Sequence, residues 1–405
     1  MMSDWNYPTA IKFGHGCIKK LPALCQQLDM HAPLIISDPG LVHFSFFKKI
    51  EQSLPSAGLF CDIKSNPNGK NINDGIAAFK QGKHDGIIAI GGGSALDAGK
   101  AIALMTWQTE SIWQFEDCGD NWKRVNSANI LPCIAIPTTA GTGSEVGRAS
   151  VIVDEDSQRK KIIFHPLMLP KQVLLDPELS QDLPAHLTAA TGLDAFVHCF
   201  EAFCAPGYHP MAEGIALQGM KLIKQWLPEA YHNGRNLDAR GHMLTASTMG
   251  ATAFQKGLGA CHALAHPLGA LYDKHHGLLN AILLPYVIEA NRSVLNDKLK
   301  TLCQFLEIEQ EAPNENYCTR FLNWVVTLRK ELQIPNTLAA IGIRQDDEIA
   351  QQYDIAELAL ADPSAAGNPT ALSAEQYQHI LSNAISGNLS LATTSNATSN
   401  ATSRL

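Results

Sequence analysis

Along its first half the chain alternates short, wholly apolar runs with longer stretches in which apolar residues recur at three- and four-residue spacing. Residues 32–37 (APLIIS), 86–90 (GIIAI), 130–136 (ILPCIAI) and 173–175 (VLL) are rich in β-branched residues and predict buried strands. Each is closed by turn residues: Asp38-Pro39-Gly40, Gly91-Gly92-Gly93, Pro137-Thr138-Thr139 and Asp176-Pro177. Strands without a polar face, separated by helical stretches, predict a parallel sheet covered on both sides. From about Leu183 strand signals fade and helical patterns take over, as in residues 187–205 and 214–226. Asp182-Leu183-Pro184 marks the expected boundary between an α/β domain (1–182) and an all-helical domain (183–386). Residues 387–405 are expected to form a disordered low-complexity tail. Its polar SNAT repeat cannot bury enough apolar area to fold.

Composition narrows the class. A chain of 405 residues exceeds what one core usually organises, in keeping with two domains. With 45% hydrophobic and 17% charged residues it is an ordinary globular sequence. A net charge of −8 and the lack of clustered Lys and Arg argue against nucleic acid as a partner. The longest basic run, Arg159-Lys160-Lys161, reads first as a solvated loop. The ten cysteines are scattered without a CxxC pair, as expected of reduced thiols in a cytoplasmic protein. The start, MMSDWNYPTA, lacks the pattern of a secretory signal, and no apolar run approaches the ~20 residues needed to cross a bilayer. The nominal Asn-x-Thr glycosylation triplets of the tail therefore carry no weight.

Residues 87–104 (IIAIGGGSALDAGKAIAL) read as a strand, a triple glycine and a helix. Glycines at such a turn let backbone N–H groups approach an anion, and the helix N-terminus adds partial positive charge. Ser94 is the expected N-cap, with Asp97 in the first turn. The run is neither a P-loop, since Gly99-Lys100 is followed by Ala101, nor a GxGxxG fingerprint, since Leu96 takes the last glycine's place. A second loop, residues 137–145 (PTTAGTGSE), offers hydroxyls from Thr138, Thr139, Thr142 and Ser144 around two glycines. Two such loops at strand ends point to a bound nucleotide, because open α/β sheets bind ligands at their carboxyl edge. Asp38 ends another strand. A carboxylate there can accept from an adenosine ribose and repel a 2′-phosphate, favouring NAD over NADP; the plainer reading is a turn residue before Pro39.

In the second half, Asp194 and His198 lie four apart in a helical pattern and so share one face. His262 and His266 repeat that spacing, and His275 and His276 follow. One carboxylate with several imidazoles suits Fe²⁺ or Zn²⁺. A lone helix histidine is usually a satisfied surface or core residue, so His165, His186, His209, His232 and His242 are given no role. Spacing alone leaves open which histidines bind, and the four-residue rule would pair His262 with His266.

Taken together, GGGSALDAGKAIA, PTTAGTGSEV, GLDAFVHCFEAF and GACHALAHPLGALYDKHHG resemble the iron-containing (group III) alcohol dehydrogenase family, in the expected order over residues 7–386. The resemblance implies an N-terminal α/β nucleotide-binding domain with a parallel sheet and an all-α metal-binding domain, a dehydroquinate synthase-like architecture. Carried over by position, the metal ligands would be Asp194, His198, His262 and His276, with His266 left as a proton-handling or substrate-contacting residue. The cofactor contacts would be Asp38, Gly92, Gly93, Ser94, Asp97, Thr138, Thr139, Thr142 and Lys160, with Asn66 and Val151 as weaker ones. Phe254 resembles a substrate-pocket aromatic. The segment VGRASVIVD after Glu145 and the pair Gln255-Lys256 depart from better-known members, which bears on the substrate rather than the chemistry.

The expected activity is metal-dependent, NAD-linked interconversion of a small primary alcohol or diol and its aldehyde by hydride transfer. Iron is the expected metal, with Zn²⁺ the alternative, and the family implies a homodimer. The rival enzyme is a lyase resembling dehydroquinate synthase, which would need Lys and Arg for a substrate phosphate; few flank the motifs between Asp194 and His276. A catalytically idle nucleotide-binding protein is the non-enzymatic rival, and filled ligand positions weigh against it.

Overall fold

The computed structural model describes residues 7, 9–157, 159–310 and 315–389; most of the expected tail, from Ser390 onward, lies outside the described residues. Six strands form one parallel sheet: β1 (Ala10–Phe13), β2 (Leu34–Ile36), β3 (Gly58–Phe60), β4 (Ile87–Gly91), β5 (Cys133–Pro137) and β8 (Gln172–Leu175), in the order β1-β8-β5-β4-β2-β3. The runs read at 32–37 and 130–136 start late because Pro33 and Pro132 have no N–H to give a ladder. Alternate side chains go to opposite faces. Ile36, Ile87, Ala89, Ala135 and Val173 pack under one layer of helices, and Ile35, Ile88, Ile90, Ile134 and Leu174 under the other. The first layer holds α4 (Gly93–Met105), and the second holds α1 (Leu21–Gln27) and α2 (Ser45–Ser53).

β3 lies outside β2 while β5 lies beyond β4, so the winding reverses between β2 and β4. Asp38 follows β2 and Gly92-Gly93 follows β4, placing them on the two sides of this switch point. β1 and β3 escape the apolar-run reading, and so does an antiparallel hairpin of β6 (Ala149–Asp154) and β7 (Arg159–Phe164). The basic run therefore opens a strand rather than a solvated loop. Alternation splits it: Lys161 pairs with Asp154 at 2.9 Å, while Lys160 turns to the other face.

Beyond Leu175, among the described residues, all regular structure is helical. α5 (Ala185–Cys204) is buried continuously from Thr188 to Cys204, as expected of a helix that is apolar around its circumference. Around it stand α6 (Pro210–His232), α7 (Leu237–Ala253) and α9 (His276–Ala290), with α8 (Ala260–Tyr272) against α9. The remaining helices, including α10 (Arg292–Phe305), α11 (Tyr317–Glu331) and α13 (Ile355–Leu360), close one continuous apolar core. The ten cysteines are all free thiols. Among the described residues, no helix is long and apolar enough to cross a membrane.

Candidate metal centre and nucleotide edge

α5, α8 and α9 each bring one group to a common point. A carboxylate oxygen of Asp194 and ring nitrogens of His262 and His276 lie within 4.8 Å of one another. Asp194 and His262 are buried and His276 partly so. His262 is oriented from behind. Its Nδ1 donates to Glu201 Oε2 at 2.6 Å, which leaves the Nε2 lone pair directed inward. Glu201 also accepts from the backbone N–H groups of Gly259 (2.9 Å) and Cys261 (2.7 Å), tying the start of α8 to α5. Burial alone would lower the pKa of His262, but the charge and hydrogen bond of Glu201 outweigh it and the net shift is upward. Burial pushes His276 well below the ordinary imidazole value, and the nearby imidazoles add to this.

His198 stands beside the converging set rather than within it. Its ring stacks on His262 with centroids 4.7 Å apart and meets Phe254 edge-on at 5.2 Å. Burial takes its pKa down to about 4, so the ring is neutral at physiological pH. His266 is also outside the set. Its Nδ1 lies 2.8 Å from Asp362 Oδ2, and its ring stacks on His276 at 5.3 Å. Despite their four-residue spacing, His262 and His266 are not brought to this common point together; the third converging group comes from α9 rather than the next turn of α8.

This donor set fits a divalent transition ion. Asp194 accepts only, His262 presents a lone pair, His276 turns Nε2 to within 3.8 Å of Asp194 Oδ1, and the buried Nδ1 of His198 has no protein partner. Unpaired buried imidazole nitrogens around an acceptor-only carboxylate are costly in a protein core unless a cation completes the group.

At the sheet's carboxyl edge the two glycine loops press together. A Cβ on Gly93 would lie 2.6 Å from Thr142 Cγ2, so only glycine permits this approach. Thr138 is buried, with its N–H on the Gly91 carbonyl at 3.0 Å, while Thr139, Thr142, Gly92 and Gly93 are partly exposed. Ser94 is not the N-cap. α4 begins at Gly93, Gly92 occupies the cap position, and the Ser94 hydroxyl donates to the Ser65 carbonyl instead. Asp97 is a brace. Its Oδ1 accepts from Ser144 Oγ (2.5 Å) and lies 3.1 Å from Lys100 Nζ, and its Oδ2 accepts from the Val151 N–H (2.9 Å).

Two residues reach toward the helical half. Asn66 Nδ2 donates to Asp273 Oδ1 at 2.7 Å. Lys160 sits among Asp273, Asp97 and Asp194, and burial lowers its pKa against the pull of these three carboxylates. Sequence reasoning passed over Glu201, Asn280 and Asp362. The first two had a helical signal, three residues after His198 and four after His276, but Asp362 had none because it arrives from a distant turn.

A parallel sheet with two glycine loops at its carboxyl edge, together with a buried carboxylate–imidazole cluster on helices, is the arrangement of a nucleotide- and metal-handling protein. Residues 8–177 match the family described as "Iron-containing alcohol dehydrogenase", and residues 188–385 match "Fe-containing alcohol dehydrogenase family, C-terminal". The chain belongs to the iron-containing alcohol dehydrogenase family. It is 34% identical over 388 residues to 4-hydroxybutyrate dehydrogenase of Cupriavidus necator, covering 93% of this chain and 98% of that protein. It is 30% identical over 393 residues to NAD-dependent methanol dehydrogenase of Bacillus methanolicus, covering 95% and 100%. A crystal structure of 1,3-propanediol oxidoreductase superposes with a TM-score of 0.88 at 31% identity, covering 95% of this chain and all of that one, 100%.

Proposed function

We propose that this alcohol dehydrogenase oxidises a small primary alcohol or diol to its aldehyde, and reduces the aldehyde in reverse, with NAD as hydride carrier and Fe²⁺ as the preferred metal. The convergence of Asp194, His262 and His276 opposite the glycine loops carries this reading. The relatives' names support the substrate class, since 4-hydroxybutyrate, methanol and 1,3-propanediol all bear a primary hydroxyl. When bound, the cation supplies Lewis acidity to the alcohol oxygen and the nicotinamide takes up the hydride.

The chain's own groups do the rest. Asp194, His262 and His276 hold the cation, with His198 as fourth ligand after a turn of its ring. Glu201 keeps His262 in the tautomer that presents Nε2. His266, anchored through Nδ1 on Asp362, is left with Nε2 to take the alcohol proton. Phe254 walls the pocket beside His198. Asp38, Gly92, Gly93, Ser94, Thr138, Thr139 and Thr142 contact the cofactor, with Asn66 and Lys160 at its far side. Asp97 and Val151 act through the loop they brace. The division falls near Leu183, between the end of β8 and the start of α5. Ten free thiols support a cytoplasmic location, and the outer edge of β1, with Phe13 exposed, suits a homodimer contact.

The test is metal content by mass spectrometry on anaerobically purified protein, paired with NADH formation against primary alcohols and diols. About one metal per chain with metal-dependent NADH formation is expected, and His262→Ala should lose both. A His262→Ala protein with full metal and full activity would end this account of the site.

A further inference from the structure

Asn280 lies on α9 one helical turn after His276 and is fully buried. Its Nδ2 donates to Asp194 Oδ1 at 2.8 Å and sits 3.2 Å from Nε2 of both His262 and His276. One amide nitrogen thus touches the inward-facing atom of every residue in the converging set. Its Oδ1, on the other side, is buried without a hydrogen-bond partner.

The orientation of the amide follows from its neighbours. Asp194 only accepts, and in the neutral tautomer whose Nδ1–H donates to Glu201, His262 Nε2 accepts too. Turning the amide over would set a carbonyl oxygen against a carboxylate and a lone pair. The present orientation leaves Oδ1 unpaired, a cost that a core does not normally bear. The Asp194 interaction therefore outweighs the loss at Oδ1. Packing alone would be served as well by an apolar side chain of this size.

We infer that Asn280 is a positioning residue of the metal centre: its Nδ2–H holds one Asp194 oxygen, turning the carboxylate so that its other lone pairs meet the cation. This rests on the metal-site reading above. The bond joins α5 to α9 across 86 residues of sequence, so it also sets the distance between Asp194 and His276. Hydrogen bonds to ligating carboxylates typically matter about 10- to 100-fold in metal affinity.

The experiment is a Co²⁺ titration of metal-stripped wild type and Asn280→Leu, read by the visible d–d absorption, with thermal melts of both stripped proteins. Asn280→Leu keeps the bulk and removes the donor. Expected is a Co²⁺ affinity about 10-fold or more below wild type, with an altered d–d spectrum. Unchanged affinity with a lowered melting point would make Asn280 a packing residue, and tighter binding would make its amide a competitor of the cation. Either result overturns the proposal. Failure of wild type itself to bind Co²⁺ would sink the metal-site reading first. Should the leucine variant not fold, a crystal structure of Zn²⁺-loaded wild type decides. The Asn280 Nδ2–Asp194 bond must persist there, and an amide turned away or coordinating through Oδ1 refutes the assignment.

Discussion

Asp38 opens the turn after β2 with its Oδ1 on the Gly40 N–H at 3.0 Å, and burial raises its pKa against its backbone hydrogen bonds. In the proposed function it accepts from a ribose and repels a 2′-phosphate. Asp38→Gly should shift the ratio of kcat/KM for NADP over NAD upward by about tenfold, equivalent to ~1.4 kcal/mol. An unchanged ratio in cofactor-competition kinetics would remove Asp38 from cofactor choice. At this scale the residue types of the site were legible in the sequence, because glycine turns and four-residue His spacing are local. What was not legible was the direction of each side chain. His266 had the better spacing, but its Nδ1 goes to Asp362, 96 residues away. Ser94 had the right type for a cap, yet the helix starts two residues sooner, with Gly92 as its cap.

Among the elements, the second glycine loop is the joint on which the two halves meet. Gly143 has φ +62°, and a Cβ there would lie 2.2 Å from Ala251 Cβ and 2.8 Å from the Ser247 carbonyl on α7. Left-handed backbone costs a non-glycine residue roughly 1–2 kcal/mol, and forcing a methyl into a packed helix contact costs about 1–3 more. Gly143→Ala should therefore lose about 2–5 kcal/mol in urea unfolding and weaken cofactor binding with it. A loss under about 0.5 kcal/mol would mean that α7 yields more freely than its burial implies. Long elements such as α5 were readable because their apolar pattern repeats over many turns. β1 and β3 were not, since strands of 4 and 3 residues give too few positions to establish a period. The β6–β7 hairpin was hidden by its charged ends.

Across the whole molecule, the two halves share a buried carboxylate. Glu145, from the same loop, accepts from Thr248 Oγ1 of α7 at 2.7 Å. Burial raises its pKa above the ordinary 4.5, and the hydrogen bond from Thr248 only partly opposes this. Between 4.5 and the raised value, the folded chain keeps a proton that the unfolded chain has shed. Stability contributed here is thus present below 4.5 and falls as pH climbs through the folded pKa. Glu145→Gln removes the titration. Its stability relative to wild type should rise with pH across that window and stay level below it, followed by urea unfolding at a series of pH values. A relative stability that falls with pH would contradict a buried, reluctantly ionised Glu145. The sequence by itself determined the alternation of strand and helix in the first half, the helical second half, the glycine turns and the supply of carboxylate and imidazole, because these depend on periodicity and backbone conformation over a few residues. Only the tertiary structure decided which groups meet. Glu201 reaches His262 across 61 residues and Asn280 reaches Asp194 across 86, pairings set by how helices pack and not by any spacing along the chain.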